Sequence, residues 1–202
     1  MIQKKRPFNR REQILDEATK LFSHRGYQAT SIRVIADACE ITEAAIYRHF
    51  KSKDDLYVSV IGKKAKQHDI ESTLKEHAHQ GSIEDILGIV ARHILSLAAT
   101  DPELMTLMFR NSFQPGPVTT LLFQEIRLPY IEFLTAEMTY RQQTGEIRNI
   151  DALISARCFV GMVMDCALNN GVWDKISDTE FVAETVVCNN VPIFARGLTT
   201  AN

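Results

Sequence analysis

Apolar residues recur along the chain at the spacing of one helix face. In the first segment five apolar residues share such a face: Ile14, Leu15, Ala18, Leu21 and Phe22. Asn9 and Glu12 have the spacing of a capping box at the start of this stripe, and Gly26 stands where the helix should end. The pattern therefore predicts an amphipathic helix from Asn9 to about Gly26.

Three more helices are predicted in quick succession after this one. Ser31, Thr42 and Ser52 each stand at an N-cap position, where a hydroxyl accepts a hydrogen bond from a free backbone N–H group. The apolar residues behind the first two caps are Ile32, Ile35, Ala36, Cys39, Ile46 and Phe50. The helix after Thr42 is short, with one apolar side and a polar tip. A supported short helix of this kind can enter the major groove of DNA.

The rest of the chain also has the pattern of helices, with Pro and Gly at the breaks. The predicted bounds are Lys53 to near Ala78, Ser82 onward, Asp101–Pro102 onward, Val118 to about Gln143 with a kink at Pro129, Asp151 onward, and Asp178 to Arg196–Gly197. We find neither a strand pattern nor an internal repeat. The sequence therefore predicts an all-α fold of about nine helices.

We expect these helices to form two domains. Residues 1–55 are predicted to be a three-helix, helix-turn-helix head that binds DNA. The helix that begins near Lys53 then links this head to a larger helical-bundle body, residues 56–202, for ligand binding and dimerisation. A chain of 202 residues with 45% apolar residues is long enough to build both.

Charge is distributed unevenly between the two parts. Residues 1–53 hold 11 Lys and Arg against 6 Asp and Glu, whereas the remainder holds 12 against 19. Basic residues that neutralise phosphates release counterions, which supplies most of the sequence-independent affinity for DNA. A solubilising role for Lys4, Lys5 and Arg6 alone stays open, but the basic head as a whole favours a DNA partner.

Several motifs in the head fall at the spacing of one known family. They are Thr30-Ser31 before Ile35-Ala36, Tyr47 before His49-Phe50, and Ser52-Lys53 before Leu56. This stretch resembles the DNA-binding domain of TetR-family (TetR/AcrR) transcriptional regulators. The resemblance is strong over the first fifty-odd residues and weaker beyond, where Gly145–Arg148 before Asp151 and the ending Ile193–Leu198 are also similar to the family pattern.

The resemblance implies a homodimer that binds a palindromic operator in double-stranded DNA. Two recognition helices would then lie one DNA turn apart, about 34–36 Å. The family implies dimerisation through the last two helices, where small residues allow close approach: Ala152, Ala156, Gly161, Ala167, Ala183 and Ala195. The expected function is that of a repressor released by a small, largely apolar effector of unknown identity.

Position by position, the resemblance implies two classes of DNA contact. Arg33, Glu43 and Ala44 match positions that can reach base edges, and the cap Thr42 sets the tip of the recognition helix. The positions that match phosphate contacts are Ser31, Tyr47, His49 and Lys53, while Arg48 can serve either class. The alternative, with Tyr47 in the core and Arg33 and Arg48 as solvated surface, stays open.

The chain departs from the family pattern at two places. Glu40 stands where a Gly normally accepts positive φ, which costs a residue with a side chain on the order of 1–2 kcal/mol. Either the turn is strained or its conformation differs locally. Ala44-Ala45 replaces the usual Gly-Thr at the tip of the recognition helix, which removes a hydroxyl that often meets phosphate.

Soft and aromatic side chains in the body are candidate ligand contacts, because such apolar surfaces adapt to varied ligands. These residues are Met105, Met108, Phe109, Phe113, Phe123, Tyr130, Phe133, Met162 and Trp173. Ordinary core packing is the alternative for each of them. Polar residues that can orient a ligand there, or lie at the surface or an interface instead, are His93, Arg110, Asn111, Arg157 and Asp165.

Other classes of protein have little support in the sequence. We find no arrangement of an activated nucleophile, no metal-ligand spacing and no cofactor motif, so neither an enzyme nor a metal or cofactor site is expected. The most apolar segment, Leu153–Leu168, is short for a membrane span and contains two charges. We expect a cytoplasmic protein with reduced cysteines, although redox sensing by one of them stays open. The alternative function is a DNA-binding protein whose body binds another protein.

Overall fold

The computed structural model describes residues 9–111, 116–169 and 182–199, and these ranges are mostly helical. They contain no β-strand, and an isolated antiparallel bridge joins Ile147 to Thr199. The predicted all-α class is confirmed. No helix within the described ranges is long and apolar enough to cross a membrane.

The head is built from three helices and the beginning of a fourth. These are α1 (Arg10–Arg25), α2 (Ile32–Ala38), α3 (Glu43–Tyr47) and α4 (Lys53–His68). The hydroxyls of Ser31, Thr42 and Ser52 accept hydrogen bonds from backbone N–H groups of the first turns at 3.2, 3.3 and 3.1 Å. The caps predicted from the sequence therefore set where these helices start.

The start of α1 differs from the predicted capping box. The side chain of Asn9 accepts a hydrogen bond from the Arg11 N–H at 3.1 Å, as a cap should. Glu12 Oε2 instead lies 2.6 Å from Lys63 Nζ on α4. An ion pair with a neighbouring helix has replaced the local hydrogen bond that the spacing predicted.

Seven further helices form the described part of the body. They are α5 (Ile70–Lys75), α6 (Ile83–Thr100), α7 (Pro102–Asn111), α8 (Pro117–Leu122), α9 (Leu128–Gln143), α10 (Ala152–Leu168) and α11 (Ala183–Leu198). A π-helical segment, Phe123–Arg127, joins α8 to α9. The predicted start of the last helix at Asp178 lies outside the described residues.

The predicted fourth helix, Lys53 to near Ala78, is wrong beyond His68. Asp69 adopts a left-handed conformation, with φ 37° and ψ 50°, and α5 resumes in a new direction. The break turns Ile70 and Leu74 into the core, where they are 3% and 1% exposed. Asp accepts this conformation more readily than most residues with a side chain, so the break costs little.

The irregularity predicted at Pro129 takes the form of a widened helical turn. The N–H group of Leu128 bonds to the carbonyl of Phe123, five residues earlier, which defines the π-helical segment. Pro129 has no N–H group and its ring needs space beside the preceding turn. The wider turn supplies this space, so helical structure continues from α8 to α9.

The core of the body surrounds α6. This helix contacts α7, α9, α10 and α11, and its apolar face is buried. Between head and body lies α4, which packs on α1 on one side and on α8 and the π-helical segment on the other. Any movement of the body against α4 therefore reaches the head directly.

Candidate nucleic-acid interface

The short helix α3 is held by a single buried residue. Ile46 is fully buried, and Phe50, just beyond the helix, is 2% exposed. Packed beneath them are three residues of α2: Ile32, Ile35 and Ala36. Helix α3 therefore rests on α2 by one side only, and its remaining sides face outward.

The side chains predicted to meet DNA lie on this outer surface. Tyr47 is 53% exposed, so the alternative that placed it in the core does not hold. The other exposed members of the set are Ser31, Arg33, Thr42, Glu43, Ala44, Arg48 and His49. A polar surface on a supported one-turn helix has the shape that major-groove reading requires.

The turn between α2 and α3 keeps a left-handed residue despite the absence of glycine. Glu40 has φ 55°. The Ile41 N–H donates to the Ala36 carbonyl at 3.0 Å, and the Glu40 N–H donates to the Asp37 carbonyl at 3.1 Å. This pair of bonds is a Schellman motif, which requires the left-handed conformation at Glu40. Of the two alternatives that the sequence left open, the strained turn is the one observed.

Lys53 is positioned by an aromatic cluster at the start of α4. Its Nζ atom lies 3.9 Å from the ring centroid of Tyr27, and that ring stacks on Tyr57 with centroids 4.9 Å apart. The Tyr27 hydroxyl donates to the carboxylate of Asp54. Burial, together with this hydrogen bond, raises the pKa of Tyr27 to about 12. Partial burial also lowers the pKa of Lys53.

Two more cations lie next to α3 that the sequence did not single out. Lys51 is exposed between α3 and α4, and the guanidinium of Arg11 lies 5.0 Å from the ring centroid of Phe50. The spacing of residues along α1 does not indicate that its first turn meets the end of α3. Only the tertiary packing of Phe50 brings Arg11 there.

A chain of ion pairs connects this head to the body through α4. Lys63 Nζ lies 2.7 Å from Asp16 on α1. One residue later, Lys64 Nζ lies 2.8 Å from Asp101, which stands immediately before α7, and His68 Nε2 lies 2.9 Å from the same carboxylate. Burial opposes ionisation of Asp101, but the hydrogen bonds from Lys64 and His68 lower its pKa overall.

The predicted effector residues do not converge on one cavity among the described residues. A cavity of about 590 Å³ lies between α5, the end of α4 and α9, and Phe133 is the member of the predicted set that lines it. Met105 and Tyr130 are buried in the core, and the Tyr130 hydroxyl lies 3.0 Å from His93 Nδ1. Four others are partly buried: Met108, Phe109, Phe123 and Met162. Phe113 and Trp173 lie outside the described residues.

The polar candidates of the body are also dispersed. Arg110 Nη2 donates to the His24 carbonyl at the end of α1, at 3.3 Å. Burial lowers the pKa of His93. Arg157 lies over the ring of Phe123, and Asp165 is exposed on α10. The side chain of Asn111 lies outside the described part of the structure. Within that part, no group of three His, Cys, Asp or Glu side chains has the arrangement of a metal site.

Comparison with known proteins identifies the head. Residues 14–60 match the sequence profile described as "Bacterial regulatory proteins, tetR family". These residues include α2, the strained turn and α3. The matched residues form a DNA-binding domain of the TetR family.

Relatives and solved structures extend this likeness over nearly the whole chain. The "Fatty acid metabolism regulator protein" of Bacillus subtilis (strain 168) is 25% identical over 182 residues, covering 87% of this chain and 92% of that protein. The crystal structure of FadR from Bacillus subtilis, in complex with stearoyl-CoA, has a TM-score of 0.74 at 21% identity, covering 93% of this chain and 98% of that one.

A second similar structure comes from a complex with DNA. AibR, in complex with isovaleryl coenzyme A and operator DNA, has a TM-score of 0.70 at 23% identity, covering 93% of this chain and 98% of that one. The family and the geometry of α3 agree, and the protein is a DNA-binding transcriptional regulator. Because the matched relatives are regulators, the prediction that the chain is not an enzyme is confirmed.

Proposed function

We propose that this TetR-family protein is a cytoplasmic repressor that binds a palindromic operator as a homodimer and leaves it when a small, largely apolar effector binds the body. The observation that carries the proposal is the exposed polar surface of α3 around Tyr47, anchored by Ile46 alone. Arg33 and Glu43 read base edges beside Ala44. The phosphates are held by Ser31, Tyr47, His49 and Lys53, with Arg48 in either role.

Exposed apolar side chains support dimerisation through α10 and α11. Seven large hydrophobic side chains are exposed among the described residues, and four of them belong to these two helices or the cap of α11: Leu153, Ile154, Val182 and Ile193. Their exposed fractions are 50%, 60%, 58% and 65%. Two helices that present such side chains together favour association with a second copy.

Dimerisation can be tested by placing a charge in this surface. Ile154→Glu should produce monomers in analytical ultracentrifugation and lose most operator affinity, because one head alone makes half of the contacts. Val58→Glu is the matched control, since Val58 is a 36% exposed apolar residue on α4, away from α10 and α11. A variant Ile154→Glu that stays dimeric would exclude this surface as the interface.

Sequence selection from a random DNA pool tests the operator. We expect enrichment of a palindrome whose half-sites are about one helical turn apart, and loss of binding in Tyr47→Ala. Tyr140→Ala is the control, because Tyr140 is a 43% exposed tyrosine on α9. Selection of a non-symmetric site, or equal loss in both variants, would contradict the proposal.

The similar structures support an effector that carries an acyl chain. The FadR structure contains stearoyl-CoA, and the AibR structure contains isovaleryl coenzyme A with operator DNA. In the present chain, Lys64 and His68 connect α4 to Asp101 before α7. An effector that favours a different position of α7 would move α4 and the head through these bonds. The equilibrium between the two positions would shift only by as much as the effector's affinities for them differ.

The second candidate function is a body that recognises another protein. The ligands of the two similar structures, stearoyl-CoA and isovaleryl coenzyme A, favour a small effector over a protein partner. Gel shifts with octanoyl-CoA, octanoate and octanol test the effector, since this chain length lies between those of the two ligands above. Failure of every such compound to release operator DNA would favour the protein partner.

A further inference from the structure

Two arginines lie where side chains of the π-helical segment and of α10 meet. Arg127 is the last residue of that segment, and Arg157 lies in the second turn of α10. No carboxylate lies within 4 Å of either guanidinium among the residues that the structure describes. The pair therefore concentrates positive charge at one place in an otherwise acidic body.

The two side chains are held by α10 and by the π-helical segment. The guanidinium carbon of Arg157 lies 5.9 Å from the ring centroid of Phe123. One helical turn further, Arg127 Nη2 lies 3.5 Å from the point that a Cβ atom would occupy at Gly161. Arg127 thus lies against α10 where that helix has no side chain, and the two contacts place both arginines in adjacent turns.

Arg157 is exposed, whereas Arg127 is partly buried. The Nε atom of Arg127 is buried and has no hydrogen-bond partner in the structure. Burial, and next the charge of Arg157, lowers the pKa of Arg127. Arg141 Nε also has no hydrogen-bond partner, but the 1% exposed Arg141 forms ion pairs with the carboxylates of Glu137 and Glu146, whereas Arg127 has no such carboxylate among the described residues. A partly buried guanidinium without an anion costs free energy that a bound carboxylate or phosphate would recover.

The cavity between α5, the end of α4 and α9 is the other candidate place for an effector, and it is lined mainly by acidic residues. Five acidic residues line the 590 Å³ cavity, against two lysines, Lys66 and Lys75; the acidic residues are Asp69, Glu71, Glu125, Glu132 and Glu137. Glu125 and Arg127 are two residues apart in the π-helical segment, which directs their side chains to different sides. An anionic ligand is repelled on the side of the cavity and attracted on the side of α10.

We propose that Arg127 and Arg157 form the subsite that holds the anionic end of the effector, a phosphate or a carboxylate, with Phe123 beside its apolar part. This inference rests on the proposed function, since it assumes that an effector exists. The guanidinium groups donate hydrogen bonds to the anion in the forked geometry that suits both groups. The effector is accordingly an amphiphilic anion, such as an acyl thioester of a phosphorylated carrier or a free fatty acid.

Binding of octanoyl-CoA, octanoate and octanol to the full-length protein, measured by isothermal titration calorimetry, tests the subsite. Octanoyl-CoA or octanoate should bind more tightly than octanol. Arg127→Met and Arg157→Met should each weaken binding of that anion roughly 10- to 100-fold, the effect of one charge-assisted hydrogen bond. Preference for octanoyl-CoA identifies phosphate as the recognised group, and preference for octanoate identifies the carboxylate.

Three controls separate an anion subsite from a ligand in the cavity and from a purely structural role of the arginines. Arg148→Met removes an exposed arginine next to the chain reversal at Gly145 and should leave affinity unchanged. Ala136→Trp obstructs the glutamate-lined cavity and should also leave it unchanged. Without ligand, Arg127→Met should melt at or above the temperature of the unmodified protein, because a partly buried charge without a carboxylate partner has been removed. A structural role for Arg127 predicts a lower melting temperature.

Several results would overturn the subsite. These are equal binding of octanol, no binding of either anion, or loss of binding in Ala136→Trp but not in Arg127→Met. A carboxylate of a second copy is the rival partner, and Asp165 is the acidic residue of α10. If Asp165→Asn dissociates the dimer to the same extent as Arg157→Met, the arginines serve the dimer. Operator binding by the unmodified protein is measured separately, without ligand. A protein that does not bind operator DNA in that experiment would contradict the proposed function, and not the subsite.

Discussion

Lys64 Nζ lies 2.8 Å from Asp101 Oδ1, so the linking helix α4 is bonded to the residue that immediately precedes α7. His68 contacts the second oxygen of the same carboxylate at 2.9 Å. Asp101 also accepts a hydrogen bond from the Leu104 N–H at 3.1 Å, which caps α7. One carboxylate thus fixes the start of α7 and the position of α4 together.

Replacing this carboxylate should weaken the structure in a pH-dependent way. Asp101→Asn is expected to lower the free energy of unfolding by about 1–3 kcal/mol at pH 7, because it removes charge-assisted hydrogen bonds from a buried position. The pKa of Asp101 is lowered in the folded protein, so its contribution is present above the unfolded value of about 3.9 and is lost as the pH falls through the folded value.

Denaturant unfolding of both proteins between pH 7 and pH 2.5 measures this difference. The difference in free energy of unfolding between Asp101→Asn and the unmodified protein should become smaller as the pH falls below about 4. Glu17→Gln is the control, since Glu17 and Lys20 form an ion pair at the surface. A difference that stays constant across this range would show that the charge of Asp101 contributes nothing.

The strained turn offers a stabilising substitution. Glu40→Gly should raise the free energy of unfolding by up to about 1 kcal/mol, because glycine adopts positive φ without the steric cost but has more freedom when unfolded. Glu40→Asn should have an effect of the same sign and smaller size. Thermal unfolding measures both. Since Glu40 makes no side-chain contact that the Schellman motif needs, a fall in stability would refute the strain.

Loss of a buried ion pair in α9 should lower the stability of the protein far more than loss of a surface ion pair. Arg141 and Glu137 are each 1% exposed, and Arg141 also donates to the Gly81 carbonyl at 3.0 Å. Arg141→Met should cost about 3–5 kcal/mol of stability, because the Glu137 carboxylate is left buried without its guanidinium. Lys75→Met is the control, since that lysine pairs with Glu71 where both side chains are 70% exposed. Similar losses in both variants would be unexpected.

Lys53 and Arg33 should affect DNA binding in different ways. Lys53→Met is expected to weaken binding to all sequences alike and to reduce the slope of log affinity against log salt by about 0.9, the value for one phosphate contact. Lys66→Met, a loss of the same charge from the exposed end of α4, should leave the slope unchanged. Fluorescence anisotropy at a series of salt concentrations distinguishes these outcomes.

Arg33→Ala should relax specificity at one base pair. Loss of a bidentate contact to guanine costs about 1–3 kcal/mol on the preferred sequence and less on others. Binding to operators substituted at each position measures the change, with Lys53→Met as the uniform comparison. A uniform loss in Arg33→Ala would assign that residue to the phosphate backbone.

The head was predictable because its signals are local. Ser31, Thr42 and Ser52 cap the helices that they precede, and these bonds span only three residues. The break at Asp69 gave no such signal, since the residue is neither glycine nor proline. Packing of Ile70 and Leu74 into the core decides it, and such tertiary effects override local preference.

Positions in the body were harder to assign for a related reason. Periodicity indicates which side of a helix is apolar, but it does not indicate where packed helices leave space. Phe133 lines a cavity while Tyr130, three residues earlier, is fully buried. The approach of Arg127 to Arg157 depends on the π-helical segment and on Gly161, two features that meet only in three dimensions.

The anchoring of α3 by Ile46 alone has an evolutionary consequence. Exposed residues around Tyr47 contribute little to the core, so they can be exchanged at small cost in stability. Descendants of this protein can thus acquire new target genes by substituting a few exposed residues of α3, while the residues of the core stay unchanged.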